Sequence, residues 1–82
     1  MSTEHDVAET LDVRGLSCPM PVVQTKQAVD DLEPGSVLEV VATDPGSVSD
    51  LDGWASGTPG VTLLDQEESG EEYTHYIRTE AV

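Results

Sequence analysis

Eighty-two residues carry seventeen acidic against three basic side chains, for a formal net charge of −14 at pH 7, and include a single cysteine. A chain this short forms one small domain burying roughly 60% of its unfolded surface, which suits two packed layers better than a deep pocket. Arg14, Lys26 and Arg78 cannot build the cationic patch that nucleic acid requires, no stretch reaches the ~20 apolar residues of a membrane span, and one cysteine cannot close an internal disulfide.

The N-terminus, MSTEHDVAE, lacks the positive and apolar regions of a signal peptide, so the protein is expected in the cytoplasm. Residues 1–8 read as a flexible polar start and residues 9–80 as the single domain. Thr10 to Val13 places Leu11 and Val13 on one side of a first strand. The glycine turn Arg14-Gly15-Leu16-Ser17 follows, and Cys18 to Leu32 has helical spacing. Val22, Thr25, Val29 and Leu32 share one face; Gln24, Gln27, Asp30 and Asp31 share the other. Glu33-Pro34-Gly35 ends that helix.

Ser36 to Thr43 reads as a strand, with Leu38, Val40 and Ala42 on one face and Val37, Glu39 and Val41 on the other. Asp44-Pro45 has the form of a helix start, aspartate as cap and proline at the first helical position. Val48, Leu51, Trp54 and Ala55 supply the apolar face of a short helix limited by Gly53 and Gly57, with Trp54 read as core. Val61 to Glu67 and Glu72 to Thr79 are two strands joined around Ser69-Gly70. The order βαβαββ predicts an α+β two-layer sandwich. Right-handed crossovers put both helices on one face of a four-stranded mixed sheet.

The acids are spread along the chain and interleaved with apolar residues, which reads as a solvated coat fitted to a salt-rich cytoplasm. At about 1 M salt the Debye length is ~3 Å, so distant charges scarcely interact. In dilute buffer the surface should repel itself, which favours a monomer. Cys18, His5 and His75 lie in distant segments without ligand spacing, so neither a metal site nor a cofactor is expected. His75 alternates with Tyr73 and Ile77 in its strand and reads as packed or surface rather than catalytic.

Chemistry concentrates in Asp12-Val-Arg-Gly-Leu-Ser-Cys18-Pro-Met-Pro21. With Cys18 as helix cap, Pro19 takes the first helical position, and Pro21 removes a further donor. The N–H groups of Cys18 and Met20 are then expected to point outward, free to meet a sulfur anion. A helix terminus contributes ~0.3–1 kcal/mol, less than the ~1.4 kcal/mol of one pKa unit. Arg14, four residues upstream, is the cation placed to add the rest, although Asp12 competes for it. The expectation is an accessible, modestly activated sulfur. The opposing reading is a buried small hydrophobe that extends the apolar stripe of its helix.

Arg14-Gly15-Leu16-Ser17-Cys18-Pro19-Met20-Pro21 resembles the signature of the TusA-like, or SirA-like, sulfur-carrier family. Asp44-Pro45 resembles that family's second helix start, and Asp50-Leu51 with Trp54 the body of that helix, so the resemblance runs from about Thr10 to Thr79. It implies a cysteine that accepts sulfane sulfur from a cysteine desulfurase or rhodanese-like protein and passes it to an acceptor protein. Family uses include tRNA thiolation, molybdenum-cofactor assembly and sulfur metabolism. Cys18 is the matching persulfide-forming position. Arg14 would stabilise the anion, Pro19 and Pro21 would hold the sulfur outward, and Gly15, Leu16 and Met20 would meet partners. Many members have a further cysteine near the position of Ala55, whose absence here leaves a one-cysteine relay. Such a carrier is of sulfurtransferase type without a complete active site of its own. The alternative is a regulatory interaction module with Cys18 as a redox sensor, weakened by the lack of a resolving cysteine.

Overall fold

The computed structural model describes residues 7–80, in which six elements follow in the order βαβαββ. They are β1 (Val7–Val13), α1 (Met20–Asp30), β2 (Val37–Ala42), α2 (Ser47–Ser56), β3 (Val61–Ser69) and β4 (Glu72–Thr79). The spatial order is β1-β2-β4-β3, with β1 parallel to β2 and β4 antiparallel to both β2 and β3. A parallel pair needs a crossover, which α1 provides by packing over β1 and β2. Helix α2 packs beside it over β3 and β4, completing the two-layer α+β sandwich.

Period-two alternation in β2 decides which face is dry. Leu38, Val40 and Ala42 are fully buried and join Val13, Leu51 and Ile77 in the core. Each large apolar side chain there contributes roughly 1.5–3 kcal/mol through burial. Val22, Val29 and Leu32 pack onto this core from α1 and its C-terminal turn. Thr25 is sealed among them, its hydroxyl donating to Pro21 O at 2.7 Å. Trp54 is half-buried against the same core rather than enclosed by it. On the opposite face the Tyr76 hydroxyl and the Thr10 hydroxyl both donate to the Glu39 carboxylate, at 3.2 and 2.9 Å.

Several boundaries differ from those read in the sequence. Val7 and Ala8 belong to β1 rather than to the polar start, because the strand continues through a bulge to pair Val7 with Val37; residues 1–6 lie outside the described residues. Helix α1 begins at Met20, two residues after Cys18, and ends at Asp30, where the N–H groups of Asp31 and Leu32 turn back to Ala28 and Val29 carbonyls. In α2 the cap is Gly46, not Asp44, and Pro45 precedes the helix. The hairpin turn is the pair Gly70-Glu71, with Gly70 at φ 64° in its first position as a II′ turn requires.

Beneath the start of α2 lies a buried polar trio. Gln66 Nε2 donates to Val48 O at 2.9 Å and stands 3.0 Å from His75 Nδ1, so that ring nitrogen accepts. His75 Nε2 therefore carries the proton and donates to the Ser47 hydroxyl oxygen at 3.2 Å. Burial lowers the His75 pKa to about 4, which keeps the ring neutral. Packed rather than catalytic is the role this geometry gives it.

Candidate functional site at the tip of helix α1

The segment between β1 and α1 is shaped by one glycine. Leu16 N donates to Val13 O at 3.2 Å across a tight turn whose third residue, Gly15, has φ 85°, a left-handed value that a side chain disfavours. The turn is tied to the neighbouring β2–α2 loop, because Gly15 N donates to the Thr43 hydroxyl at 2.9 Å. One residue on, Asp44 makes the second tie. Its Oδ2 accepts from Cys18 N at 2.9 Å, while its Oδ1 accepts from Gly46 N at 3.1 Å. A single carboxylate thus joins the starts of both helices.

Cys18 is exposed, which rules out the buried-hydrophobe reading. It does not cap the helix; Pro19 holds that position and Pro21 is the second helical residue, fully buried against the core. The outward-pointing N–H groups expected at Cys18 and Met20 are not free: Cys18 N is held by Asp44, and Met20 N donates to Ser17 O at 2.9 Å. Asp44 lies 26 residues away in sequence, so no local pattern could have revealed that competition.

The electrostatic expectation also reverses. Arg14 is clamped by Asp12, with Nε to Oδ1 at 2.9 Å and Nη2 to Oδ2 at 3.0 Å, and reaches Glu72 with Nη1 at 3.2 Å. This fork geometry raises the Arg14 pKa and lowers that of Asp12 to about 2. The guanidinium is committed to carboxylates rather than to sulfur. The Asp50 carboxylate, then desolvation and the negative charge of Asp44, push the Cys18 pKa above the ordinary thiol value. The direction is opposite to the modest activation expected from the helix start and Arg14. Asp50, read in the sequence as part of the second helix, is the carboxylate whose influence on Cys18 that reading missed.

Three large apolar side chains close to Cys18 in the chain are exposed. Leu16 and Met20, both expected to meet partners, are 36% and 39% exposed, and Val23 adds 37% one turn beyond Met20. Val23 is three residues along the helix from Met20, a spacing that puts both on one face. A groove of about 280 Å³ lined by Val29, Trp54, Pro59 and Val61 lies at the C-terminal ends of both helices, away from this tip.

The family model described as sulfurtransferase TusA matches residues 9–79. A provisionally named sulfur carrier of Halobacterium salinarum is 65% identical over 78 residues, covering 95% of this chain and 96% of its own length. The sulfur carrier protein TusA of Allochromatium vinosum is 40% identical over 73 residues, covering 89% of this chain and 95% of its own. Among solved structures, a SirA-like protein of Desulfitobacterium hafniense superposes with a TM-score of 0.71 at 28% identity, covering 89% of this chain and 99% of that one. With a family match over nearly its whole length, the same two-layer fold and an exposed cysteine at the signature position, the chain belongs to the TusA sulfurtransferase family.

Proposed function

We propose that this protein is a cytoplasmic sulfur carrier whose Cys18 takes sulfane sulfur as a persulfide from a cysteine desulfurase or rhodanese-like donor and delivers it to an acceptor protein. The acceptors considered are those of tRNA thiolation, molybdenum-cofactor assembly or related sulfur metabolism. The observation that carries the reading is an exposed sulfur on a backbone corner tied by Thr43 and Asp44, with Leu16, Met20 and Val23 exposed close by in the chain. Exposed apolar side chains near a reactive atom suit transient docking of a second protein, which supplies the rest of the active site. Sulfur-carrier names among the relatives support the same role. Pro19 and Pro21 act here by fixing the helix start rather than by touching the transferred sulfur. Self-repulsion of the acidic surface favours action as a monomer.

The sensor reading finds less support. Redox-sensor cysteines are exposed and of low pKa, whereas Cys18 has the exposure and the opposite shift. The test is incubation with a cysteine desulfurase and cysteine, followed by intact mass spectrometry. Wild type should gain one sulfur, Cys18→Ser none, and Met20→Glu with Val23→Glu should slow the gain while leaving the fold intact. A wild type that gains peroxide-derived oxygen or glutathione but no sulfur would refute the carrier role.

A further inference from the structure

Cys18 precedes helix α1, so its N–H has no acceptor within that helix. Asp44 Oδ2 supplies one at 2.9 Å. Inside the β1–α1 loop, Leu16 N turns back to Val13 O and Met20 N to Ser17 O. The loop backbone is fastened to the β2–α2 loop by two adjacent side chains: the Thr43 hydroxyl accepts from Gly15 N, and the Asp44 carboxylate from Cys18 N.

Asp44 is held in its turn. Its Oδ1 accepts from Gly46 N at 3.1 Å, and its backbone carbonyl accepts from Ser47 N at 2.9 Å. Ser47 is buried, and its hydroxyl meets His75 Nε2 of β4 at 3.2 Å; the other ring nitrogen meets Gln66 Nε2 of β3 at 3.0 Å. A continuous run of hydrogen bonds thus joins two strands of the sheet to the backbone of Cys18. Support of this kind gives a loop residue the fixed position that group transfer needs. The side chain at position 44 must accept twice. A carboxylate has two acceptor oxygens, whereas an amide has one and would set its NH₂ against the second donor.

We propose that Asp44, with Thr43 as a second clasp, is the positioning residue of the sulfur transfer, holding Cys18 so that Sγ meets the sulfane sulfur of a docked donor in line with the S–S bond that breaks. The proposal rests on the carrier reading and names the residue that sets its geometry. In the step, Cys18 Sγ, its proton lost to solvent, bonds to the sulfane sulfur. The donor's cysteine sulfur leaves with the electron pair of the broken S–S bond. The terminal S–H travels with the sulfane sulfur, so a thiolate and a persulfide give a persulfide and a thiolate, and no oxidant or reductant is consumed. Asp44 touches none of the reacting atoms and acts through the Cys18 backbone. Reacting atoms must stand about 3–3.5 Å apart and aligned, and a misplacement of about 1 Å costs up to about 10²-fold. A protein donor presents its persulfide in one orientation, while a small reagent approaches the sulfur from any side. Loss of the clasp therefore slows the first reaction and spares the second.

The experiment makes two measurements at one mildly alkaline pH on proteins whose fold is checked by circular dichroism. Single-turnover sulfur uptake from a cysteine desulfurase charged with cysteine, read by intact mass over a range of desulfurase concentrations, gives a limiting rate and a half-saturating concentration. Alkylation by iodoacetamide gives the reactivity of the sulfur itself. Asp44→Asn should lower the limiting rate at least about tenfold and leave the half-saturating concentration unchanged, because alignment rather than docking is lost. It should alkylate at least as fast as wild type, since a negative charge held 2.9 Å from the Cys18 amide is gone. Asp44→Ala, which keeps neither acceptor, should transfer more slowly still, and Thr43→Val should show a smaller fall in the limiting rate. Should the Asp44 variants not fold, Thr43→Val decides, and an unchanged limiting rate there defeats the proposal. A limiting rate unchanged in folded Asp44→Asn, or uptake and alkylation slowed in the same proportion, overturns the proposal and leaves the carrier reading standing. A wild type that gains no sulfur defeats the carrier reading, and the proposal with it.

Discussion

Acidification should unfold this protein through His75 well before its paired carboxylates titrate. The ring is fully buried, and its Nδ1 accepts from Gln66, a donor already fixed by Val48 O; a proton on Nδ1 would set two donors against each other. With a folded pKa of about 4 against 6.5 for the free side chain, the unfolded chain binds the proton first, so stability falls as pH drops. Linkage over that interval gives a loss of about 2 kcal/mol between pH 7 and 5, and about 3 kcal/mol by pH 4. At about 4–8 °C per kcal/mol for a domain of this size, the first loss lowers Tm by roughly 8–15 °C. Thermal melts by circular dichroism at pH 7, 6 and 5, for wild type and His75→Gln in the same high-salt buffer, isolate the effect. The variant should start less stable and lose much less on acidification. Parallel losses in the two proteins would refute the assignment of His75 as the acid-sensitive group.

Three further outcomes follow from the geometry. Gly15→Ala places a side chain at φ 85° with open space around it, so its cost is backbone strain alone, about 1–2 kcal/mol, read as a Tm drop in thermal melts. Arg14→Gln should leave the pH dependence of Cys18 alkylation unmoved, because the guanidinium is held by Asp12 and Glu72; a displaced profile would restore the arginine to the sulfur. Raising potassium chloride from about 0.1 to 1 M shortens the Debye length from ~10 to ~3 Å and should raise Tm, since the net charge of −14 is then screened; a flat or falling Tm would contradict an acidic coat matched to salt.

Local pattern was enough to determine the architecture. Alternation at Leu38, Val40 and Ala42, the three- and four-residue spacing of Val22, Thr25 and Val29, and turn residues at Gly35 and Gly70 leave few ways to order these elements in a small domain. The same near-neighbour reasoning marked out the candidate site, because Gly15 and the prolines act on the backbone within a few residues of Cys18. The Arg14–Asp12 pair was visible too, two residues apart. What the tertiary structure decided is the chemical character of the sulfur. Parallel pairing of β1 with β2 brings the two strand ends, and hence the two helix starts, side by side. That placement delivers Asp44 to the Cys18 amide and Glu72 to Arg14, across 26 and 58 residues, and lets the Asp50 carboxylate raise the pKa of the thiol. Hydrogen bonds and charges act through distance in space, so partners this remote along the chain reversed an ionisation that the helix start and its nearest cation had suggested.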